Sequence, residues 1–295
     1  MFEKLQGNNF FLLKMSDSMN GKICIVTGAN SGIGKATALG LAKIGASVVM
    51  LCRDKSLGNE AQSEIITESG NQYIDLILAD LSSQKSIRQF ALEIKKKYKK
   101  LHVLINNAGV NPSKRYETVD GIEKAFAINT LAPFLLINLL LPILKSSIPA
   151  RIINVASAVQ SKSINFENLQ FKKHFKSWKA YSQSKTALIL LTYESARRLC
   201  NSGITVNCLH PGSVNTNITR DYKGIIKLFT KLFFSFAKSP EEGAKTSIYL
   251  ASSPDVENIS GKYYIDKKKA KSKDITYDES IAKRLWDVCT DLTNL

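Results

Sequence analysis

Short, nearly continuous apolar runs rich in β-branched residues alternate along this chain with longer stretches of helical period. The runs fall at Ile23–Thr27, Val48–Cys52, Ile74–Ala79, Val103–Asn106, Ile152–Val155, Thr205–Leu209 and Tyr263–Ile265. Strands that lack polar alternation are buried on both faces, and strands alternating with helices predict a parallel sheet. The pattern therefore predicts an α/β fold: a doubly wound, mainly parallel sheet of seven strands with helices on both faces. The most apolar stretch, Leu131 to Leu144, carries Pro133 and Pro142 and is too short to cross a bilayer, so it reads as a buried helix.

The 295 residues show no linker and no internal repeat, and one covered sheet absorbs that length. The expected organisation is an N-terminal extension over 1–20 and a single domain over 21–295. Within that domain a substrate lid is expected near 213–240 and a basic, helical tail near 266–295. The N-terminus offers only Phe10 to Leu13 as an apolar run, which predicts neither a signal peptide nor a transmembrane helix. Five cysteines, three of them inside predicted strands, fit a reducing compartment. The expected location is the cytoplasmic side, soluble or peripherally bound to a membrane.

Lys and Arg outnumber Asp and Glu by 41 to 25, a formal charge of +16. Two clusters stand out, Lys95 to Lys100 at the end of a predicted helix and Lys267 to Lys273 after the last predicted strand. No nucleic-acid-binding signature accompanies them, and no nucleic-acid partner is expected.

Chemistry enters at the first strand, which runs into TGANSGIG at 27–34. A glycine-rich turn that opens a helix directs backbone amides and the positive helix end at a pyrophosphate. After the second strand, Leu51-Cys52-Arg53-Asp54 offers a guanidinium where an NAD-binding chain would place a carboxylate, which favours NADP(H). Asp54 either caps the next helix or reaches the ribose. Asp80 and Asn106-Asn107-Ala108-Gly109 follow the third and fourth strands, where such sheets bind ligands. Tyr181 and Lys185 stand four apart and share a helix face. The three histidines lack metal-site spacing, and no metal is expected.

These pieces, with Asn129, Ser157 and His210-Pro211-Gly212 in the same order, resemble the short-chain dehydrogenase/reductase superfamily. GANSGIGKATA (28–38), HVLINNAGV (102–110), RIINVAS (151–157), HPGSV (210–214) and RLWDV (284–288) are most similar to its retinol dehydrogenase-like branch. The resemblance implies a Rossmann-type fold, NADP(H), and interconversion of an alcohol with an aldehyde or ketone. It implies a catalytic set of Asn129, Ser157, Tyr181 and Lys185. Tyr181 would be the general acid or base, Lys185 would ease its ionisation, Ser157 would hold the substrate oxygen, and Asn129 would hold a relay water. Cofactor contacts would come from Gly28, Asn30, Ser31, Gly32, Ile33, Gly34 and Arg53, then Asp80, Leu81, Asn107, Ala108 and Gly109. Tyr181, Lys185, Pro211, Gly212, Val214 and Thr216 would complete them.

The segment after Gly212 is unusually apolar, with Tyr222, Ile225, Ile226, Phe229, Leu232, Phe233 and Phe236 at helical spacing beside Lys223, Lys227 and Lys231. It predicts a lipophilic substrate under a lid that either packs on the protein alone or also touches a membrane through 222–237. Leu188, Leu190 and Leu191 form either a homodimer interface or core. The alternative function is a non-catalytic NADP(H)-binding interaction module, and the alternative chemistry is reduction of steroid or xenobiotic carbonyls.

Overall fold

The computed structural model describes residues 18–214 and 238–295. The expected extension before Met19, most of the lid, the 222–237 contact and Thr216 lie outside these residues. A single sheet organises the fold, in the order β3-β2-β1-β4-β5-β6-β7-β8. Its strands are β1 (Ile23–Thr27), β2 (Ser47–Cys52), β3 (Ile74–Leu78), β4 (Val103–Asn106), β5 (Ala150–Val155), β6 (Ile204–His210), β7 (Tyr263–Ile265) and β8 (Lys268–Ala270). All seven predicted strands form and pair in parallel.

The eighth strand corrects the expected count. β8 pairs antiparallel with β7 across a turn at Asp266 and Lys267, both with positive φ (48° and 64°). Positive φ at both central residues is the geometry that matches strand twist in a two-residue hairpin. The lysine cluster taken for a strand exit is thus itself an edge strand, and its cations guard that edge against pairing with another chain.

Helices α1 (Gly32–Lys43), α2 (Lys55–Ser69) and α6 (Pro240–Ser252) cover one face of the sheet. Helices α3 (Gln84–Lys97) and α4 (Lys124–Lys145) cover the other. The near-unbroken apolar strands follow from this: Ile25 points into the layer of α3 and α4, while its neighbours Cys24 and Val26 point into the layer of α1 and α6.

α4 corrects a second expectation. The helix begins seven residues before Leu131 and includes a π turn at Ala127–Leu131, so its 22 residues are long and apolar enough to cross a bilayer by length and composition. In the fold, 78% of its most apolar window is buried, and it serves as a core helix. Helix α5 (Ser177–Arg198) lies beside it, and α7 (Glu279–Thr293) closes the layer with Ala282, Leu285 and Cys289 against Leu190 and Leu191. Leu188, Leu190 and Leu191 are all buried inside the chain. Of the two readings offered for them, core is the one the fold adopts.

Candidate active site

The sheet order reverses between β1 and β4, and the carboxyl ends of β1, β2, β4, β5 and β6 open there into a cleft of about 520 Å³. Loops splay apart at such a reversal, which leaves a crevice for a ligand.

The floor is made by stitching the glycine turn to the loop after β4. Thr27 Oγ1 accepts hydrogen bonds from the amides of Asn107 (2.9 Å) and Ala108 (3.0 Å), and Asn107 Nδ2 donates to the Thr27 carbonyl at 2.8 Å. Gly28 takes φ +67° against Ala108, a conformation that L side chains rarely adopt. At Gly34 a Cβ would lie 2.2 Å from the Gly28 carbonyl oxygen, so only glycine lets α1 start this close to the turn. Ser31 caps α1 without a side-chain hydrogen bond, leaving the first-turn amides to a ligand in the cleft that Gly32, Ile33 and Gly34 line.

At the end of β2 Arg53 is exposed and lines the cleft, whereas Cys52 is buried and its thiol is pushed up to about 11 by burial. That thiol is uncharged at neutral pH. Asp54 does what capping predicts: its carboxylate accepts the Leu57 amide at 3.0 Å and starts α2. The Asp80 carboxylate is fixed by the amide (2.9 Å) and hydroxyl (2.7 Å) of Ser82. These groups fit a phosphorylated dinucleotide: amide donors at a helix start, a guanidinium at the edge with no partner among the described residues, and a floor where a Cβ cannot enter.

At the other end of the cleft α5 carries Tyr181 and Lys185 toward the end of β5. Lys185 is buried, 3% exposed, and Nζ donates to the Val155 carbonyl at 2.7 Å. Burial lowers its pKa to about 8. The Tyr181 phenol is raised above its ordinary value by burial, against which the hydrogen bond with Ser157 works. Ser157 is itself placed by the Val159 amide on Oγ (3.0 Å) and by the Tyr263 hydroxyl on its carbonyl (3.1 Å).

Asn129 stands in the π turn of α4, fully buried behind the cleft rather than lining it. Its Nδ2 donates to the Val110 carbonyl and Ser184 Oγ, both at 2.9 Å, and Oδ1 accepts the Val110 amide at 2.8 Å. The side chain thus pins the loop after β4 to α5. A Cβ on Gly109 would sit 3.3 Å from Lys185 Nζ, so this loop also bounds the lysine.

The remaining sequence-derived positions, Asn30, Ser31, Leu81, Asn107, Ala108, Gly109, Pro211, Gly212 and Val214, all line the same cleft. The sequence reading missed Asn111, Ile128, Val159 and Trp178, which line it too, and named His210, another lining residue, only as part of the His210-Pro211-Gly212 motif. Trp178 was within reach of a helical argument, being one turn before Tyr181, and His210 lies next to the Pro-Gly pair. His210 Nδ1 is buried without a hydrogen-bond partner among the described residues. No group of His, Cys, Asp and Glu among those residues is arranged to hold a metal ion.

The comparisons with known proteins agree with this arrangement. Residues 22–224 match the family of short chain dehydrogenases. Retinol dehydrogenase 11 of Mus musculus is 45% identical over 93% of this chain and 87% of its own length. Retinol dehydrogenase 14 of Homo sapiens is 42% identical over 94% and 88%. Among solved structures, an uncharacterized protein from Mycobacterium Paratuberculosis superposes with a TM-score of 0.77 at 30% identity, covering 96% of this chain and 97% of that one. The Pseudomonas aeruginosa RhlG/NADP active-site complex gives 0.69 at 30% identity, covering 84% and 96%. With the reversal-point cleft, the glycine turn, and Ser157, Tyr181 and Lys185 at its far end, this chain belongs to the short chain dehydrogenase family.

Proposed function

We propose that the protein is an NADP(H)-dependent oxidoreductase that interconverts a lipophilic alcohol with its aldehyde or ketone. The observation that carries the reading is the convergence of Ser157, Tyr181 and Lys185 at one end of a cleft whose other end is a glycine turn and Arg53. A nicotinamide bound along the cleft supplies or accepts the hydride.

The chain's own residues then have defined work. Ser157 Oγ and the Tyr181 hydroxyl present two polar groups to one substrate oxygen, which orients the carbonyl and stabilises charge developing on it. In reduction the Tyr181 phenol gives its proton to that oxygen; in oxidation the phenolate takes the hydroxyl proton back. A phenol held above its ordinary pKa is the proton-bearing form at neutral pH, which suits carbonyl reduction. Lys185, charged below about pH 8, faces the loss of that proton with a positive field that opposes the burial penalty. Asn129 positions Lys185 through Ser184 and the 109–110 loop.

Arg53 is the group for a 2′-phosphate, and the presence of NADP in the Pseudomonas aeruginosa complex supports that reading. The retinol dehydrogenase relatives support an extended, apolar substrate. The test is cofactor preference: Arg53→Ala should raise KM for NADPH about tenfold or more and leave that for NADH nearly unchanged, because charge-assisted bonds are worth ~1.5–3 kcal/mol. Equal effects on both cofactors would refute the assignment of Arg53.

A further inference from the structure

Ser157 lies past the end of β5 and belongs to no strand or helix, so no ladder fixes its peptide. Two buried donors do so instead. The Tyr263 hydroxyl and Gln160 Nε2 both donate to the Ser157 carbonyl at 3.1 Å. With the Val159 amide on Oγ at 3.0 Å, the backbone and the hydroxyl of Ser157 are both held. One lone pair of Oγ is then taken by Val159, and the hydroxyl proton is left for the Tyr181 phenol or a substrate oxygen.

Gln160 has a second attachment. Its Oε1 accepts the Lys273 amide at 2.8 Å, and its own carbonyl accepts Lys273 Nζ at 2.5 Å. A carbonyl at one end of the side-chain amide and an N–H at the other dictate which atom faces each, so Gln160 bridges the two in a single orientation. Lys273 follows Ser272, which is anchored in turn to α5. Ser272 Oγ and the Tyr193 hydroxyl are hydrogen-bonded at 2.8 Å, and the Ser272 amide donates at 3.1 Å to Tyr277, whose ring stacks on Tyr193. Tyr193 is on the same helix as Tyr181 and Lys185.

Ser272 and Lys273 therefore span from the helix that carries Tyr181 to the loop that carries Ser157. The hairpin of β7 and β8 delivers them: pairing of Ala270 with Tyr263 brings the chain to this gap. The Ser161 amide, on Thr186 Oγ1 at 2.7 Å, also joins the loop to α5. Gln160, Tyr263, Ser272 and Lys273 do not line the cleft, so their action on the reaction runs through Ser157.

We infer that Gln160 is a positioning residue: braced against α5 by Ser272 and Lys273, it joins Tyr263 in aiming the Ser157 hydroxyl at the oxygen that Tyr181 protonates. The inference rests on the oxidoreductase reading and adds to it a group outside the cleft on which the Ser157 geometry depends.

Gln160→Met keeps the length of the side chain and removes both of its amide contacts. The single-turnover rate of NADPH oxidation with a long-chain aldehyde, and NADPH affinity, are measured for Gln160→Met, for Ser157→Ala and for the double variant. The expected result for Gln160→Met is a rate about tenfold or more lower with affinity kept within about twofold, since a misplacement of about 1 Å costs up to about 10²-fold. In the Ser157→Ala background the same substitution should change the rate by less than about twofold, because groups that act as a unit are not additive. Gln160→Glu keeps an acceptor for the Lys273 amide and lacks the donor to Ser157, and it should show the same pattern. Hydrogen exchange at the Val159 amide, which Ser157 Oγ holds, should speed up in both Gln160 variants. Thermal melts by circular dichroism establish that each variant is folded.

An unchanged rate in the Gln160 variants, or an equal loss with and without the Ser157 hydroxyl, would overturn the inference, as would unaltered exchange at Val159. A wild type that oxidises NADPH with no carbonyl would fail the oxidoreductase reading, and exchange at Val159 would still decide whether Gln160 holds Ser157.

Discussion

Single residues decide whether the cleft can work, and two of them give sharp expectations. Gly34→Ala puts a methyl group 2.2 Å from a backbone oxygen that cannot swing away, so α1 and the turn must separate. Overpacking of this kind costs roughly 1–3 kcal/mol, and the variant should melt lower and bind NADPH at least about tenfold more weakly by titration calorimetry. Lys185 predicts a pH dependence of stability. Its folded pKa, about 8, lies below the ordinary value of 10.5, so between these pH values the unfolded chain holds more protons. Stability from this group therefore rises with pH across that window, and the cost of burying the ammonium is fully present below pH 8. Relative to Lys185→Met, the wild type should gain roughly 2–3 kcal/mol between pH 7 and pH 10 in urea unfolding without cofactor. The glycine turn, Tyr181 and Lys185 were readable because spacing along one turn or one helix face places them, whereas Ser157 was named only through the family resemblance. Asn129 was harder to read: its partners Val110 and Ser184 are 19 and 55 residues away, and only the fold brings them to it.

Elements were legible where burial forces a pattern and hidden where it does not. The seven parallel strands are buried on both faces and announce themselves as apolar runs. β8 is two exposed lysines and an alanine, and its turn uses Asp266 and Lys267 at positive φ where glycine or asparagine would have signalled a hairpin. The pairing with β7, and the support of the Lys267 amide by Thr246 Oγ1 at 3.2 Å, outweigh weak local preference. The early start of α4 was hidden likewise, because Glu123 caps it with both carboxylate oxygens, on the amides of Ala125 (2.9 Å) and Phe126 (2.8 Å), rather than with the usual short side chain. α7 carries a prediction at this scale. Leu285 is fully buried against α4 and α5, and Leu285→Ala should lower stability by about 2–5 kcal/mol while leaving cofactor affinity unchanged, since α7 does not line the cleft.

For the whole molecule, one sheet reversal places the glycine turn and Ser157, Tyr181 and Lys185 in a single cleft. Among the described residues, two cations line that cleft at its two ends, Arg53 after β2 and Lys185 on α5. The central claim is that this cleft moves a hydride between NADP(H) and a lipophilic carbonyl with Tyr181 as the acid. The direct measurement is the single-turnover rate of NADPH oxidation with a long-chain or retinoid aldehyde, for the wild type and for Tyr181→Phe, beside NADPH affinity by calorimetry. The account predicts a loss of about 10²–10⁴-fold in rate with affinity kept within a few-fold. A Tyr181→Phe variant that turns over at the wild-type rate would contradict it.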